Sequence, residues 1–530
     1  MLVSIFNDVI GPVMRGPSSS HCAAALRIGR LARDLVGGTP DTLLVEFDRG
    51  GSLPTTHESQ GSDMGLCGGL LGWDAADVRL PDSLAALRAA GTAIRFATVD
   101  VGDPHPNTYR LTLGRAGRTH TLRAISTGGG MIELIDIDGF SLSLHGDWSV
   151  TLLRAGSDAA AQSVVDRVAG RAAEVVVHRS NAGWLVQVSG PEPLADDVVM
   201  PLEREGLVTD CRRLAAVLPV LSRKGMSVPF TNCAELLAAD AGRHEPLWRH
   251  AVAYERQRGG LTEAEVVARM VEIVRLLKRS IAEGIAGTSY DDRVLPAQAP
   301  SFRAALDAGR LVGGGSLNRI VLATTALMEV KSSMGVIVAA PTAGACAALP
   351  AAVLTLADDL GLDEEATARA LLAAGLVGVF IASAWSFAAE VGGCQAEGGS
   401  AAAMAAAAIV TLADGTLPQA VAAASMALQS MIGLICDPVA NRVEVPCLGK
   451  NVMAAANALA CANMALAGFD PVIPFDEVVA TARRVSEQMP RELRCTSLGG
   501  LSITPTSLAI ESRLAVANAA RCGAGGCGCG

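Results

Sequence analysis

Three cysteines in the C-terminal half are the strongest candidates for chemistry. Cys394 follows two glycines, Cys436 precedes an Asp-Pro pair and Cys447 follows a proline, so each is expected on a turn with backbone amides nearby. Iron–sulfur clusters need thiolate ligands with N–H groups close to the sulfurs. Three thiolates leave one iron of a cubane open, as a Lewis-acid catalyst requires. The alternative is three small buried hydrophobic side chains, and the spacing matches no local zinc or ferredoxin signature.

Imidazole is available only from the first half of the chain. The last of eight histidines is His250, so any histidine base must lie before it. In His105-Pro106-Asn107 a proline restrains the imidazole and an amide lies beside it, which suits a general base. His21 and His57 are equal candidates on residue type alone. A histidine on a surface turn is the plainer interpretation of each.

A run of three serines precedes His21 at a predicted helix start. The hydroxyls of Ser18, Ser19 and Ser20, with the free amides of the first helical turn, predict an anion site for a carboxylate or a phosphate. Simple capping of the helix by serine is the alternative.

Composition restricts the function classes. The 530 residues carry a net charge of −10 without a basic run, which argues against nucleic acid as the main partner. The first residues lack a basic start, so no secretory signal is expected. Thirteen cysteines, an odd number in a long chain, then indicate cytoplasmic thiols or metal ligands, not a disulfide scaffold.

Two long uncharged runs raise the question of a membrane. Met334–Ala357 and Ala370–Ala389 are long enough to span one, but they are rich in alanine and glycine and poor in large apolar residues. No basic bias flanks them. We therefore expect buried helices of a water-soluble domain and no membrane partner.

The predicted elements define three domains and a tail. Residues 1–146 mix strands, helices and glycine-rich turns and predict an α+β domain. Residues 147–216 predict the ferredoxin-like order β-α-β-β-α-β. Residues 217–530 predict an all-α domain, and its last residues, 522–530, form a flexible tail rich in glycine and cysteine.

Capping signals set two helix starts in the third domain. Thr262 and Thr416 each precede Glu or Gln by three residues, which predicts capping boxes. The first helix is expected to end before Gly284 and the second to close at Gly433. The segment 285–318 is expected to be rich in loops and to lie over a site.

Taken in order, these motifs resemble the iron–sulfur L-serine dehydratases (L-serine ammonia-lyases). The matching stretches run over nearly the whole chain: Gly16–His21 (GPSSSH), Gly61-Ser62-Asp63, His105–Asn107 (HPN), Gly128–Gly130, Ala340–Ala345 (APTAGA), Gly393–Glu397 (GCQAE), Cys436–Ala440 (CDPVA), Val445–Cys447 (VPC) and Gly499–Leu501. Members have β and α parts, separate or fused. This chain resembles a fusion with a small regulatory ACT-like domain between the two.

The resemblance implies elimination of water from L-serine to give pyruvate and ammonia, without pyridoxal phosphate. It implies a 4Fe–4S cluster held by Cys394, Cys436 and Cys447, and His105 as the base for the α-proton. It also implies a homodimer that acts on a small amino-acid substrate. The substrate-binding residues that it implies are Ser18, Ser19, Ser20, His21, Asn107, Thr342 and Gly344.

In some single-chain members a cysteine at or next to the C-terminus caps the open iron. Cys529 resembles that ligand, with Cys527 as the second choice. The tail beyond Leu501 is longer here than in those members.

Several residues depart from the family pattern. Gln60 stands where a second histidine is usual, with His57 three residues away as a substitute. Lys331 replaces a common Asn and Cys495 a usual Glu. Three alternatives therefore stay open. The substrate is another β-substituted amino acid such as threonine, or the protein is a cluster-bearing sensor without catalysis. The third is that the cysteines bind zinc in place of an iron–sulfur cluster.

Overall fold

The strands form three sheets in the computed structural model, which describes residues 2–524. The strands are β1 (Val13–Met14), β2 (Thr42–Asp48), β3 (Ala93–Val99), β4 (Thr108–Arg115), β5 (Arg118–Gly128), β6 (Met131–Ile137), β7 (Phe140–Leu144), β8 (Ser149–Ala155), β9 (Glu174–Ser180), β10 (Gly183–Gly190), β11 (Val208–Leu214) and β12 (Ile337–Val338).

Helices connect the strands of the first half and make up most of the second half. They are α1 (Ala24–Val36), α2 (Leu53–Thr56), α3 (Ser62–Leu70), α4 (Ser83–Ala89), α5 (Asp158–Val168), α6 (Asp196–Arg204), α7 (Cys233–Asp240), α8 (Leu247–Gly259), α9 (Glu263–Ala286), α10 (Ala299–Asp307), α11 (Gly315–Ser332), α12 (Ala348–Asp359), α13 (Glu364–Ala384), α14 (Ala389–Gly392), α15 (Ser400–Leu412), α16 (Leu417–Gln429), α17 (Cys447–Leu466), α18 (Phe475–Gln488) and α19 (Pro505–Ala524).

The chain divides into two compact units. The first comprises Ser20–Val228, the residues up to Asn7, and Gln257–Gly260. The second comprises Asp8–Ser19, Pro229–Arg256, and the residues from Leu261 to the last one described. The boundaries of the three predicted domains stay a prediction.

The first unit contains a six-stranded mixed sheet in the order β3-β2-β4-β5-β6-β7. Only the β2–β3 pair is parallel. Helices α1 and α3 pack closely together, because glycines line their contact. A β-carbon on Gly65 would lie 2.0 Å from the carbonyl oxygen of Cys22, and one on Gly69 2.1 Å from that of Leu26. This close crossing fixes the segment that carries His21 at the start of α1.

The first unit also contains a four-stranded antiparallel sheet. Its order is β11-β8-β10-β9, with α5 after β8 and α6 after β10. The predicted β-α-β-β-α-β succession is therefore present in this stretch of the chain. Alternating valines such as Val186 and Val188 point to the core shared with α5 and α6, as expected of strands with one face buried by helices.

Alanine-rich helices form the core of the second unit. Helix α15 packs against α12, α13, α16 and α17, and all but one of its residues are buried. Small side chains let these helix axes approach closely. A β-carbon on Gly378 would lie 2.1 Å from the Val9 side chain, so glycine is required at that crossing. The prediction of an all-α domain is wrong in one detail, since β1 and β12 form a two-stranded antiparallel ribbon here.

Both predicted capping boxes are present, but both predicted helix ends are wrong. Helix α9 continues through Gly284 to Ala286, because Gly284 serves a helix crossing and a β-carbon there would lie 2.3 Å from the Ala326 carbonyl oxygen. Helix α16 ends at Gln429, and Gly433 lies in the turn that follows. The segment predicted to be rich in loops contains α10 and the first residues of α11.

One described helix, α13, is long and apolar enough to cross a membrane by length and composition. Its mean hydropathy is 1.7 over the best window, and 78% of that window is buried inside the protein. A core helix meets the same criteria, so this observation is weak support for a membrane span.

Candidate functional site

Three cysteine side chains meet in a buried cluster in the second unit. Cys394 ends the Gly392-Gly393 turn before α15, Cys436 lies in the segment after α16, and Cys495 lies in the loop before α19. The three are 5%, 4% and 4% exposed and pack together with Ala389. Hydrogen bonds with the Cys394 and Cys495 thiols, together with burial, raise the pKa of Cys436 well above its usual value.

The backbone holds two of these cysteines side by side. The N–H of Cys436 donates to the carbonyl of Leu493 at 2.9 Å, and the N–H of Cys495 donates to the carbonyl of Cys436 at 3.2 Å. Cys495 adopts a φ of 56°, in the left-handed region that non-glycine residues rarely use. This local conformation turns the chain back beside Cys436.

Glycine at 393 is required for the position of Cys394. Its φ is 69°, and a β-carbon there would lie 2.9 Å from the carbonyl oxygen of Leu434 and 2.9 Å from the sulfur of Met489. Gln395, which follows Cys394, is also held in place, because its N–H donates to the same Leu434 carbonyl at 2.9 Å. The glycine turn is therefore packed against the segment that leads to Cys436.

Cys447 opens α17 and lies near the cluster. It is 6% exposed, and burial together with the nearby Cys394 thiolate raises its pKa. Asn451, one turn later, donates to the carbonyl of Cys447 at 2.8 Å and to that of Gly344 at 2.8 Å. One amide side chain thus ties the start of α17 to the Thr342–Gly344 turn.

A carboxylate that sequence reasoning assigned no role joins the thiols. The metal-ligating atoms of Cys394, Glu397 and Cys436 all lie within 4.8 Å of one another. Glu397 accepts a hydrogen bond from Thr342 Oγ1 at 2.7 Å, and burial raises its pKa to about 7. The sequence does contain a signal for this carboxylate, because Glu397 is the only charged residue between Val391 and Ala413.

A buried lysine faces the thiol cluster. Lys450 Nζ lies 3.7 Å from the sulfur of Cys394 and donates to Asp437 Oδ1 and to the carbonyl of Ile435, each at 2.7 Å. Burial works to lower the pKa of Lys450, but Cys394 and Asp437 outweigh it and hold the pKa above its usual value. A fixed positive charge thus lies where thiolates would form.

A second lysine, Lys331, is fully buried in α11. Its ammonium donates to the Val443 carbonyl, and its charge acts to lower the pKa of Glu397 and of Cys447. The chain has only four lysines among its 43 Lys and Arg residues. Lysine is therefore rare here, and sequence reasoning missed this as a signal for Lys331 and Lys450.

The predicted anion-binding segment is divided between the units, with Ser18 and Ser19 in the second and Ser20 and His21 in the first. All four residues are buried. In the second unit Ser19 Oγ accepts from the N–H of Ala343 at 3.1 Å, which places it on the turn that contains Thr342 and Gly344. A β-carbon on Gly344 would lie 2.7 Å from Glu397 Oε1, so this turn approaches the carboxylate closely.

In the first unit, hydrogen bonds define the tautomer of His21. Thr56 Oγ1 donates its proton to the carbonyl of Ser52 at 2.7 Å and lies 2.8 Å from His21 Nε2. The threonine must accept from Nε2, which therefore carries a proton. In the neutral ring Nδ1 then accepts from Ser20 Oγ at 3.2 Å.

His105 and Asn107 form a polar pair in the loop that leads into β4, an inner strand of the six-stranded sheet. The N–H of Asn107 donates to His105 Nδ1 at 3.2 Å, so the neutral imidazole keeps its proton on Nε2. Asn107 is fully buried, and Ser52 Oγ donates to its Oδ1. Its Nδ2 has no hydrogen-bond partner within residues 2–524, which leaves a buried donor unused.

Gln60 is buried, and the histidine near it is paired with a carboxylate. His57 Nδ1 lies 2.7 Å from Asp63 Oδ1, and its ring stacks on Phe96 at 5.5 Å between centroids. Burial works to lower the pKa of His57, but the bond to Asp63 outweighs it and holds the pKa above its usual value. Gln60 itself is 1% exposed.

The two tail cysteines, Cys527 and Cys529, lie outside the described residues. Their predicted role as caps of the fourth iron stays a prediction.

Comparisons with known proteins agree on one family. The family described as serine dehydratase alpha chain matches residues 240–502. The chain is 35% identical over 285 residues to the "Probable L-serine dehydratase, alpha chain" of Bacillus subtilis (strain 168), covering 54% of this chain and 95% of that protein. The "Probable L-serine dehydratase, beta chain" of the same organism is 38% identical over 186 residues, covering 34% of this chain and 83% of that one.

A single-chain relative spans most of the sequence. The "L-serine dehydratase" of Streptomyces coelicolor is 29% identical over 433 residues, covering 80% of this chain and 90% of that protein. Similarity to separate alpha and beta chains, and to an undivided protein, agrees with two parts joined in one chain.

Proposed function

This chain belongs to the L-serine dehydratase family, and we propose that it deaminates L-serine to pyruvate and ammonia with a 4Fe–4S cluster as cofactor. The observation that carries the cofactor proposal is the buried thiol cluster of Cys394 and Cys436, with Cys447 beside it and Lys450 against it. Substrate, reaction class and lyase activity follow from the family.

The residues fit an iron–sulfur cluster. Thiolates select soft metals and iron–sulfur clusters, and the buried ammonium of Lys450 offsets part of the negative charge that several thiolates would bring. Cys394, Cys436 and Cys447 would hold the cluster. Zinc uses the same donors, so metal analysis has to separate the two.

When bound, the cluster supplies a Lewis-acidic iron that makes the β-hydroxyl of the substrate a better leaving group. The chain's own residues then have two tasks, to hold the carboxylate and to take the α-proton. For the first, Ser19 and the Thr342–Gly344 turn lie together. Glu397 accepts a hydrogen bond from the Thr342 hydroxyl and so orients that side chain. Ser18, Ser20 and His21 are further substrate-binding residues that the family resemblance implies.

His105 is the proposed base for the α-proton. Its Nδ1 lone pair is engaged by the Asn107 N–H, so the ring accepts a proton there once that bond opens. The unused Nδ2 donor of Asn107 suits a substrate oxygen. Loss of the α-proton and of hydroxide gives aminoacrylate, which tautomerises and hydrolyses to pyruvate and ammonia.

Three further proposals concern the whole chain. The four-stranded sheet with α5 and α6 is an ACT-like regulatory domain, supported by its strand order. The chain acts as a homodimer, because large apolar helical domains often pair. It works in the cytoplasm, as its many free thiols favour.

The test is an anaerobic assay of reconstituted protein. The visible spectrum and the iron, sulfide and zinc contents are recorded, followed by ammonia release from L-serine, L-threonine, L-cysteine and D-serine. We expect a broad cluster absorption and ammonia from L-serine, and loss of both in Cys436→Ala. A colourless, zinc-loaded or metal-free protein that still releases ammonia would overturn the cofactor proposal.

A further inference from the structure

The structure brings a fourth cysteine, Cys495, to the thiols proposed to hold the cluster. Its side chain packs on Cys394, Cys436 and Ala389 and is 4% exposed. By contrast, Cys461, which is also buried in the second unit, has Asn457 Oδ1 as its partner at 3.5 Å.

Cys495 is held in this position from both sides of the loop. Its N–H donates to the Cys436 carbonyl at 3.2 Å. Two residues earlier, the Leu493 carbonyl accepts from the Cys436 N–H at 2.9 Å. On the other side Thr496 Oγ1 donates to the Arg491 carbonyl at 3.1 Å. The loop therefore has little freedom to carry the thiol away from Cys436.

The number of thiols matters for the chemistry of the centre. Cubane clusters have four metal corners, so three protein thiolates leave one corner to another ligand. A fourth thiol in the same buried cluster as Cys394 and Cys436 is the donor type that iron in such clusters prefers. Binding needs only loss of the thiol proton to solvent, since no oxidant or reductant takes part in forming an iron–thiolate bond.

We propose that Cys495 is the fourth protein ligand of the cluster in the substrate-free protein, and that the tail cysteines are not required for this position. The inference rests on the proposed 4Fe–4S cluster. A thiolate at the fourth corner limits access of oxygen and other small oxidants to that iron. It also means that substrate has to compete with Cys495 for the same corner.

The test compares wild type, Cys495→Ser, Cys495→Ala and the control Cys461→Ser, each reconstituted anaerobically with ⁵⁷Fe and sulfide. Mössbauer spectra report whether one iron differs from the others. Peptide mass spectrometry after iodoacetamide treatment reports how fast Cys495 is alkylated with and without the cluster. Decay of the cluster absorption in air gives a third readout that does not depend on activity.

We expect wild type and Cys461→Ser to show no distinct iron, and Cys495 in them to alkylate at least about tenfold more slowly with the cluster than without it. Both Cys495 variants should keep the full iron content, show one distinct iron and lose their absorption several-fold faster in air. This pattern would support Cys495 as the fourth ligand.

Two results would overturn the proposal while leaving the cluster intact. One is a distinct iron already present in wild type, with Cys495 alkylated equally fast with and without the cluster. The other is the absence of a distinct iron in both Cys495 variants, which would assign the fourth thiolate to another cysteine, such as one in the tail. Failure of wild type to take up iron and sulfide at all would instead overturn the cofactor proposal and this inference together.

Discussion

The ammonium of Lys450 lies 3.7 Å from the sulfur of Cys394 while it also forms a 2.7 Å ion pair with Asp437. The side chains of Lys450 and Asp437 are 15% and 7% exposed, so both charges are largely removed from water. Buried charges persist when they are paired and hydrogen-bonded. This lysine therefore links the electrostatics of the thiol cluster to the stability of the surrounding loop.

Replacing Lys450 with methionine should weaken the centre and the fold together. Removing one partner of a buried pair leaves an uncompensated charge on Asp437, which costs about 3–5 kcal/mol of unfolding free energy. We also expect iron retention to fall several-fold during gel filtration. Urea unfolding and iron analysis measure the two effects. Lys278→Met, which removes a lysine 3.5 Å from Asp358 and 35% exposed, should change neither, and equal behaviour of both variants would contradict the proposed role.

Two cysteines of one helix offer a matched comparison. Cys447 and Cys461 both lie in α17 and both are buried. We expect Cys447→Ala to lose cluster absorption and ammonia release, while Cys461→Ala retains both, because only the first thiol lies near Cys394. Full colour and activity in Cys447→Ala would remove this residue from the proposed ligand set.

Gly344 should not tolerate a side chain. A β-carbon at this position would lie 2.7 Å from Glu397 Oε1, so the turn or the carboxylate has to move. Misplacement by about 1 Å can lower a rate on the order of 10²-fold. We expect a loss of that size in kcat/KM for L-serine in Gly344→Ala with normal iron content. In the control Gly449→Ala the new methyl meets no atom within 4 Å, and activity should be unchanged.

His105 should affect turnover far more than a comparable histidine of the same unit. Loss of a general base lowers kcat by about 10²–10⁴-fold, so His105→Gln is expected to show a fall in this range with unchanged cluster content. His145→Gln removes an imidazole whose partner is Ser143 at 3.3 Å and should keep wild-type kcat. If His105→Gln keeps its kcat and His57→Gln loses it, the base is His57 with Asp63.

The His57–Asp63 bond should make the stability of the protein depend on pH. The folded state raises the pKa of His57 above 6.5, so it holds the proton more tightly than the unfolded chain does. This stabilisation is complete below about pH 6.5 and is lost as the pH rises through the folded-state pKa.

The same bond predicts the behaviour of a variant. A hydrogen bond to a charged group contributes about 1.5–3 kcal/mol, so His57→Gln should lower the unfolding free energy by roughly that amount at pH 6 and by less at pH 9. Urea unfolding of the cluster-free protein at both pH values measures the difference. His178→Gln, whose partner is the neutral amide of Gln187, should show no such pH dependence, and an equal loss at both pH values in His57→Gln would contradict the ionic character of the bond.

Sequence alone indicated the parts of the site that carry a local signature. Cys394, Cys436 and Cys447 stand beside glycine or proline, and the structure brings the first two into contact and the third near them. The capping boxes at Thr262 and Thr416 also carry a local signature, and both are present. These features depend on residues within a few positions of one another.

Features that depend on distant packing were not predictable in the same way. The sequence pattern predicts a helix end before Gly284, but this glycine serves a contact with Ala326 in another helix. Lys450 and Glu397 belong to the candidate site because the fold brings them to cysteines that are distant in the sequence. Lys450 lies against Cys394, and Glu397 lies near Cys436. In the sequence Cys495 stands out only as a departure from the family pattern. Its contact with Cys436 depends on a loop that returns from about 60 residues further along the chain.

The most direct test of the central claim is removal and rebuilding of the cluster while ammonia release from L-serine is measured. Reconstituted protein is treated anaerobically with ferricyanide and a chelator, then rebuilt stepwise with iron and sulfide. We expect activity to fall and return in proportion to the cluster absorption, and zinc to restore none of it. Ammonia release that persists after the iron and the absorption are gone would contradict it.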